Sequence, residues 1–190
     1  MSMKGAIIGS TQIAVSHINA FSKNGLQIDS IASSQNSESA KKISNSYGLE
    51  YFSNSTNLLN QFDKDFLVIA SSTDSLLPIL KSALNLDTKI FIEKPVTKSI
   101  EEANELLRLS KISNVKVQIG HIERFNPAYK VAKKYLNDIK FIETHRLAQF
   151  NPRGTDVPVV LDLMIHDIDT TLALIKSPVK NISANGVSII

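Results

Sequence analysis

The chain has 190 residues, 43% of them hydrophobic and 21% charged, with a net charge of +3 and no cysteine. These are values of a globular protein, long enough for one domain and part of a second, and they argue against disorder. The missing cysteine excludes disulfides, thiolate metal sites and cysteine nucleophiles, and no run of like charges marks a nucleic-acid or membrane surface.

Strand-like runs alternate with helical patterns from the start. Residues 4–9 read as a strand and 12–24 as a helix with Ile13, His17, Ala20 and Phe21 on one stripe. A strand over 26–33, a helix over 37–47, a short strand near 50–52 and a short helix near 56–61 follow. Residues 65–71, DFLVIAS, form a near-continuous apolar run of the kind buried on both faces of a parallel sheet. A helix over 74–86 and a strand over 88–93 come next. Ser99 and Glu102 are spaced as a capping box at the head of a helix over 100–112, and VKVQIG is a strand over 115–120. Repeated βα units over about 120 residues predict a doubly wound parallel α/β sheet.

After Gly120 the pattern changes, and we place a domain boundary there, giving 1–120 and 121–190. HIERFNPAYKVAKKYL is a loop running into a helix, 140–150 a long strand, 158–176 one long apolar helix, and 179–190 a final strand. Lys130, Lys133, Lys134 and Lys140 read as a solvated face. Two strands make a marginal sheet, so this second part, the start of an α+β domain, reads as incomplete. The N-terminus has no signal-peptide pattern and no stretch is long enough for a membrane span, so a cytoplasmic protein is expected.

Three places carry chemistry. The first is the turn Gly9-Ser10-Thr11-Gln12-Ile13-Ala14 after the first strand. A dinucleotide fingerprint asks for glycine where Gly9, Thr11 and Ala14 stand, and only Gly9 supplies it, with alanine an accepted third. Where an acid would grip the ribose of NAD, the chain has Ser33 and Ser34. That pattern leans towards NADP or towards indifference, with Lys41 and Lys42 as candidate partners if their helix comes close.

The second place is Glu93-Lys94-Pro95, at a strand end that should open on the same crevice. Desolvation there favours a neutral lysine, and Pro95 fixes the backbone, with a cis bond one way of aiming the side chain. A solvated strand-exit lysine with Glu93 as surface partner is the plainer alternative.

The third is the helix VPVVLDLMIHDIDTTLALIK. At about 100° per residue, Asp162, His166 and Asp169 fall within roughly 60° of one another on an otherwise apolar, and therefore buried, helix, with Asp167 off the strip. Asp162 and His166, four apart, can touch; a carboxylate on one imidazole nitrogen leaves the other as a base. A structural His–Asp pair, or a metal site completed by His121 or His145, are the alternatives. His17 reads as a satisfied core residue, and His145 could face either way.

Together, Glu93-Lys94-Pro95, the phrase GHIERFNP over 120–127 and LDLMIHDID over 161–169 make the chain similar to the Gfo/Idh/MocA family of NAD(P)-dependent oxidoreductases, nearest the branch acting on UDP-N-acetylglucosamine or its uronate. The resemblance implies a Rossmann domain followed by a mainly antiparallel open sheet used for substrate and subunit contacts. It implies NAD or NADP as cofactor, a sugar or nucleotide-sugar substrate oxidised at a hydroxyl (C3 of UDP-N-acetylglucosamine in that branch), and a homo-oligomer if the second domain is complete. It assigns catalysis to Lys94, Asp162 and His166: His166 takes the hydroxyl proton, Lys94 holds the reacting oxygen while hydride passes to the nicotinamide, and Asp162 orients the pair. Cofactor contacts fall on Gly9, Ser10, Thr11, Gln12, Ile13, Ser33, Ser34, Ala70, Ser71, Glu93 and Lys94. Substrate contacts fall on Lys94, Arg124, Asn126, Arg153 and His166, with no metal, nucleic acid or membrane involved.

The chain departs from the family pattern at Thr11, at Ser33, at Ser71-Ser72-Thr73 where Thr-Pro is usual, and at Leu76 where histidine is common. Family members also usually continue well beyond this length, so a fragment or a shortened relative is expected. An NAD-dependent glycosidase of the same family, or a dinucleotide-binding sensor or subunit without turnover, are the competing readings.

Overall fold

A computed structural model of the chain describes residues 2–33, 37–147 and 157–187, which fall into two units, Met1–Gly120 and His121–Ile190. The first is built on six strands: β1 (Lys4–Ile8), β2 (Gln27–Ala32), β3 (Glu50–Phe52), β4 (Phe66–Ile69), β5 (Lys89–Ile92) and β6 (Lys116–Ile119). Their order is β3-β2-β1-β4-β5-β6 and every neighbouring pair is parallel. The helices between them are α1 (Gln12–Lys23), α2 (Glu38–Tyr47), α3 (Ser55–Asn60), α4 (Thr73–Ala83) and α5 (Ile100–Ile112). This is the doubly wound Rossmann order, in which the chain reverses direction across the sheet between β1 and β4.

The apolar strand runs have a simple cause. Ala6 and Ile8 of β1 join Leu67, Ile69, Ile90 and Ile92 in one core, while Ile7 joins Val68, Phe66 and Ile31 in the other. Alternate side chains of the central strands β1 and β4 thus enter opposite cores, which is why their runs are almost wholly apolar. Gly5 is small because the Phe66 ring occupies the space its Cβ would need. The helices begin where side chains can take up free N–H groups: Ser37 Oγ accepts from Ala40, Asn54 Oδ1 from Asn57 and Ser99 Oγ from Glu102. The expected capping box at α5 is half formed. Glu102 Oε2 accepts the N–H of Lys98 at 2.9 Å, one residue before the cap.

The second unit holds a 3₁₀ turn at Ile122–Phe125, the short helix α6 (Pro127–Ala132), a 3₁₀ turn at Lys133–Tyr135, a π-helical turn at Val160–Met164 and α7 (Ile165–Leu174). Three expectations are corrected here. The anticipated strands over 140–150 and 179–190 form no ladder over their described parts, 140–147 and 179–187. A strand is defined by hydrogen bonds to a neighbour, and among the described residues of this unit no neighbour pairs with them. With no sheet among the described residues of this unit to cover it, the apolar helix is not buried as expected: Val159, Met164 and Leu172 are 62%, 48% and 51% exposed. It is also not one continuous α-helix, because its first turn is π-helical.

No helix among the described residues is long and apolar enough to cross a membrane.

Candidate functional site

The carboxyl edge of the first unit's sheet collects most of the residues singled out above. Gly9 follows β1, donates its N–H to Ala32 O at 2.8 Å and adopts φ +153°. A Cβ at this position would run into the carbonyl of Ala70 beyond β4. Only glycine fits between the two strand ends, which is the close-approach requirement of a phosphate turn. Ala14 is fully buried against the sheet, as the third fingerprint position requires. Ser10 Oγ accepts from Ser37 Oγ at 3.4 Å.

Thr11 caps α1 from an extended conformation, yet its side chain makes no capping hydrogen bond, and the first turn of α1 contains no acid. The positive end of this helix is therefore not neutralised by its own side chains, unlike those of α2, α3 and α5. Gln12 and Ile13 open the helix and are exposed, Ile13 at 48%. Ser33 Oγ, beyond β2, and Ser71 Oγ, beyond β4, are both buried without a hydrogen-bond partner. Buried hydroxyls are rarely left so, and two on the strands flanking β1 mark an edge suited to a polar ligand. Gly9, the uncapped α1 terminus and the two hydroxyls fit the phosphates and ribose of a dinucleotide. Ser34 lies outside the described residues. Lys41 is engaged locally, 2.9 Å from Glu38, and its ammonium lies 6.0 Å from the Tyr51 ring centre.

At the end of β5, Glu93 and Lys94 occupy the same edge, and the Lys94–Pro95 bond is cis. The Glu93 side chain is only 17% exposed. Its Oε1 lies 2.7 Å from Nε2 of His17, and its Oε2 accepts the backbone N–H of Lys94 at 3.2 Å. His17, expected to be a satisfied core residue, is satisfied by Glu93. This pairing joins residues 76 positions apart and has no periodic signature; the legible sign was a polar residue on the inner stripe of α1.

In the second unit, Asp162 sits in the π-helical turn and His166 in the first turn of α7. The reckoning at a constant turn angle therefore holds from His166 to Asp169 but not back to Asp162. Asp169 is buried, and the guanidinium of Arg124 meets it with Nε on Oδ2 at 2.7 Å and Nη2 on Oδ1 at 2.6 Å. His121 Nε2 stands 3.7 Å from the same carboxylate. The two hydrogen bonds from Arg124 hold the Asp169 carboxyl below its usual range and push the guanidinium higher still. Asp167, off the strip, is gripped in the same way by Arg146 at 2.7 and 2.9 Å, which lowers its carboxyl too. Two of Arg124's nitrogens are thus committed inside the protein.

Asn126 caps α6 through Ala128 N at 3.0 Å and donates to Glu123 Oε2 at 2.9 Å. Arg153 lies outside the described residues. His145 faces Glu143 at 2.9 Å on an exposed segment. His121 Nδ1 and Tyr129 Oη are buried without hydrogen-bond partners. Among the described residues, no group of three or more histidine, aspartate or glutamate side chains is placed to hold a metal ion.

Residues 3–121 match the model of the Gfo/Idh/MocA family, described as an oxidoreductase family with an NAD-binding Rossmann fold. The chain is 32% identical over 155 residues to the UDP-N-acetylglucosamine 3-dehydrogenase of Acidithiobacillus ferrooxidans, covering 81% of this chain and 49% of that protein. A crystal structure of that enzyme, GnnA, superposes with a TM-score of 0.81 at 28% identity, over 92% of this chain and 56% of the other. The myo-inositol dehydrogenase of Lactobacillus casei, solved with NAD(H) and myo-inositol, shares the fold at TM-score 0.80 and 22% identity, over 92% and 54% of the two chains. The chain spans about half the length of the curated relatives it matches.

Proposed function

Because the chain belongs to the Gfo/Idh/MocA oxidoreductase family, we propose that it serves an NAD(P)-dependent dehydrogenase that oxidises a hydroxyl of a sugar or nucleotide sugar. C3 of UDP-N-acetylglucosamine is the leading candidate, on the strength of the 32% identical relative. One observation carries the reading: Gly9, the uncapped α1 terminus, the partnerless Ser33 and Ser71 hydroxyls and Lys94 share one edge of a parallel sheet. Ligands of such sheets bind beyond the carboxyl ends of the strands, at the point where strand order reverses.

In this proposal residues 1–120 form the dinucleotide-binding domain and 121–190 part of a substrate and subunit-contact domain. Gly9, Ser10, Thr11, Gln12 and Ile13 receive the pyrophosphate, and Ser33, Ser34, Ala70, Ser71 and Glu93 border the ribose and nicotinamide. A nicotinamide dinucleotide, when bound, supplies the hydride acceptor. Lys94 donates a hydrogen bond to the substrate oxygen and steadies the negative charge that grows there as its proton leaves. His166 accepts that proton, and Asp162 orients the imidazole. Asn126 and Arg153 are proposed substrate contacts. Arg124 joins them only through the part of its guanidinium not held by Asp169. A cytoplasmic setting and a homo-oligomer belong to the same reading.

The absence of an acid at Ser33 leaves both cofactors open, because nothing there repels a 2′-phosphate and no arginine attracts one. Thr11, in place of a phosphate-turn glycine, favours one alternative: a family member that binds dinucleotide without turnover. The test mixes purified chain with NAD or NADP and UDP-N-acetylglucosamine or myo-inositol, and follows the absorbance of reduced nicotinamide. Reduction that Lys94→Ala abolishes supports the dehydrogenase. Cofactor binding by calorimetry without reduction of any sugar supports the non-catalytic reading.

A further inference from the structure

The carboxylate of Glu93 is held by two groups within the first unit and lies beside Gly120. Oε1 meets the imidazole of His17 on α1, and Oε2 takes the N–H of Lys94. A Cβ on Gly120, just past β6, would come within 3.1 Å of Oε1. Both partners are largely removed from water, at 16% and 17% side-chain exposure. The imidazole is itself fixed, edge-on to Phe91 with ring centres 5.1 Å apart and tilted against Phe21 at 6.3 Å.

A glutamate side chain has three rotatable bonds and samples many rotamers unless something stops it. Here the stop is His17, which reaches over the sheet face from the helix that begins at the Gly9 turn. Gly120, lacking a Cβ, leaves room for the carboxylate. The carboxylate so fixed accepts the one backbone donor that sets the direction of residue 94. Both Glu93 oxygens are thereby used inside the protein, which assigns the glutamate to the frame of the site.

We propose that His17 is a positioning residue for Lys94, acting through Glu93, and that Gly120 is kept small to admit that link. The structural link stands on the distances above; its effect on turnover rests on the proposed catalytic role of Lys94.

The test is amide hydrogen exchange, read residue by residue by NMR on the full 190-residue chain. The variants are His17→Leu, His17→Gln and Gly120→Ala. In His17→Leu the Lys94 amide should exchange about tenfold faster, the loss of one hydrogen bond to a charged acceptor. The Glu93 and Gly120 amides, bonded to Ile69 O and Ile92 O, should keep their wild-type rates. His17→Gln, which retains a donor, should restore most of the protection at Lys94. Gly120→Ala should speed Lys94 exchange while leaving His17 in place.

An unchanged Lys94 rate in a folded His17→Leu chain overturns the proposal. So does a His17→Leu chain that fails to fold together with a wild-type Lys94 rate in Gly120→Ala. Where turnover is measurable, His17→Leu should lower kcat by about tenfold or more, with the cofactor KM unchanged, as misplacing a reacting group does. If no sugar is oxidised by the wild type, the catalytic reading of Lys94 fails while the exchange data still decide the link.

Discussion

Nε2 of His17 and Oε1 of Glu93 stand 2.7 Å apart, joining the helix that follows the first turn to the strand end that carries Lys94. β1 and β5 are not neighbours, since β4 lies between them. The contact therefore spans the middle of the sheet and ties the turn and the lysine into one frame.

Gly9 should tolerate no side chain. Its Cβ would meet the Ala70 carbonyl, and its backbone angle is one that side chains disfavour. Gly9→Ala should destabilise the chain by about 1–3 kcal/mol. Urea unfolding measures that loss, and titration of the folded variant with NADH should show weaker binding.

Thr11 should limit cofactor affinity. It caps α1 without bonding to it, and glycine there would let backbone N–H groups approach a pyrophosphate. Thr11→Gly should tighten NADH and NADPH alike, by about threefold to tenfold, on the scale of a single hydrogen bond. Calorimetry with each cofactor checks both halves of that statement.

Most of the first unit was legible from the residues, and most of the second was not. Apolar runs such as Phe66–Ile69 can only be buried on both faces, so the sheet followed from local pattern. The helix cap at Ser99 was readable from its spacing to Glu102, whereas the cap at Ser37 was not singled out. The Arg124–Asp169 and His17–Glu93 pairs join distant elements, so the sequence marked Asp169 and His17 as polar residues on inner faces but not their partners. The strands expected over 140–150 and 179–190 form no ladder over their described parts, 140–147 and 179–187, because extended sequence is only half of a strand, the other half being a neighbour to bond with. The exposure of Ile168 and Leu172 on α7 goes with the lack of a covering sheet among the described residues. The π-helical turn at Val160–Met164 has no marker in its residue types.

Asp169 should make the second unit sensitive to acid. Arg124 holds its carboxyl below the usual value, so the folded state binds the proton less readily than the unfolded chain does. Stability from this pair is then complete above the unfolded pKa, near about 3.9, and is lost as pH falls through the lower folded value. Asp169→Asn should unfold more easily at neutral pH, with the gap to wild type closing below about pH 4. Arg124→Ala should cost about 1–3 kcal/mol, because it strands a buried carboxylate while the arginine itself is 48% exposed. Urea unfolding at several pH values, followed by circular dichroism, measures both.

If the chain turns over a sugar, Lys94 and His166 should fail differently. Lys94→Ala should lower kcat about 10²–10³-fold, the usual loss when a donor to a developing oxyanion is removed. His166→Asn should lower it about 10²–10⁴-fold and flatten the pH dependence, the mark of a missing general base. Full turnover in either variant would remove that residue from the mechanism.

The central claim is that the carboxyl edge around Gly9, Ser33, Ser71 and Lys94 receives a nicotinamide dinucleotide. The most direct measurement is a calorimetric titration of the chain with NADH and NADPH, repeated with Gly9→Ala. Saturable one-to-one binding of at least one cofactor, weakened in the variant, is the predicted result. No binding of either cofactor to folded wild-type chain, or equal affinity in the variant, would contradict it.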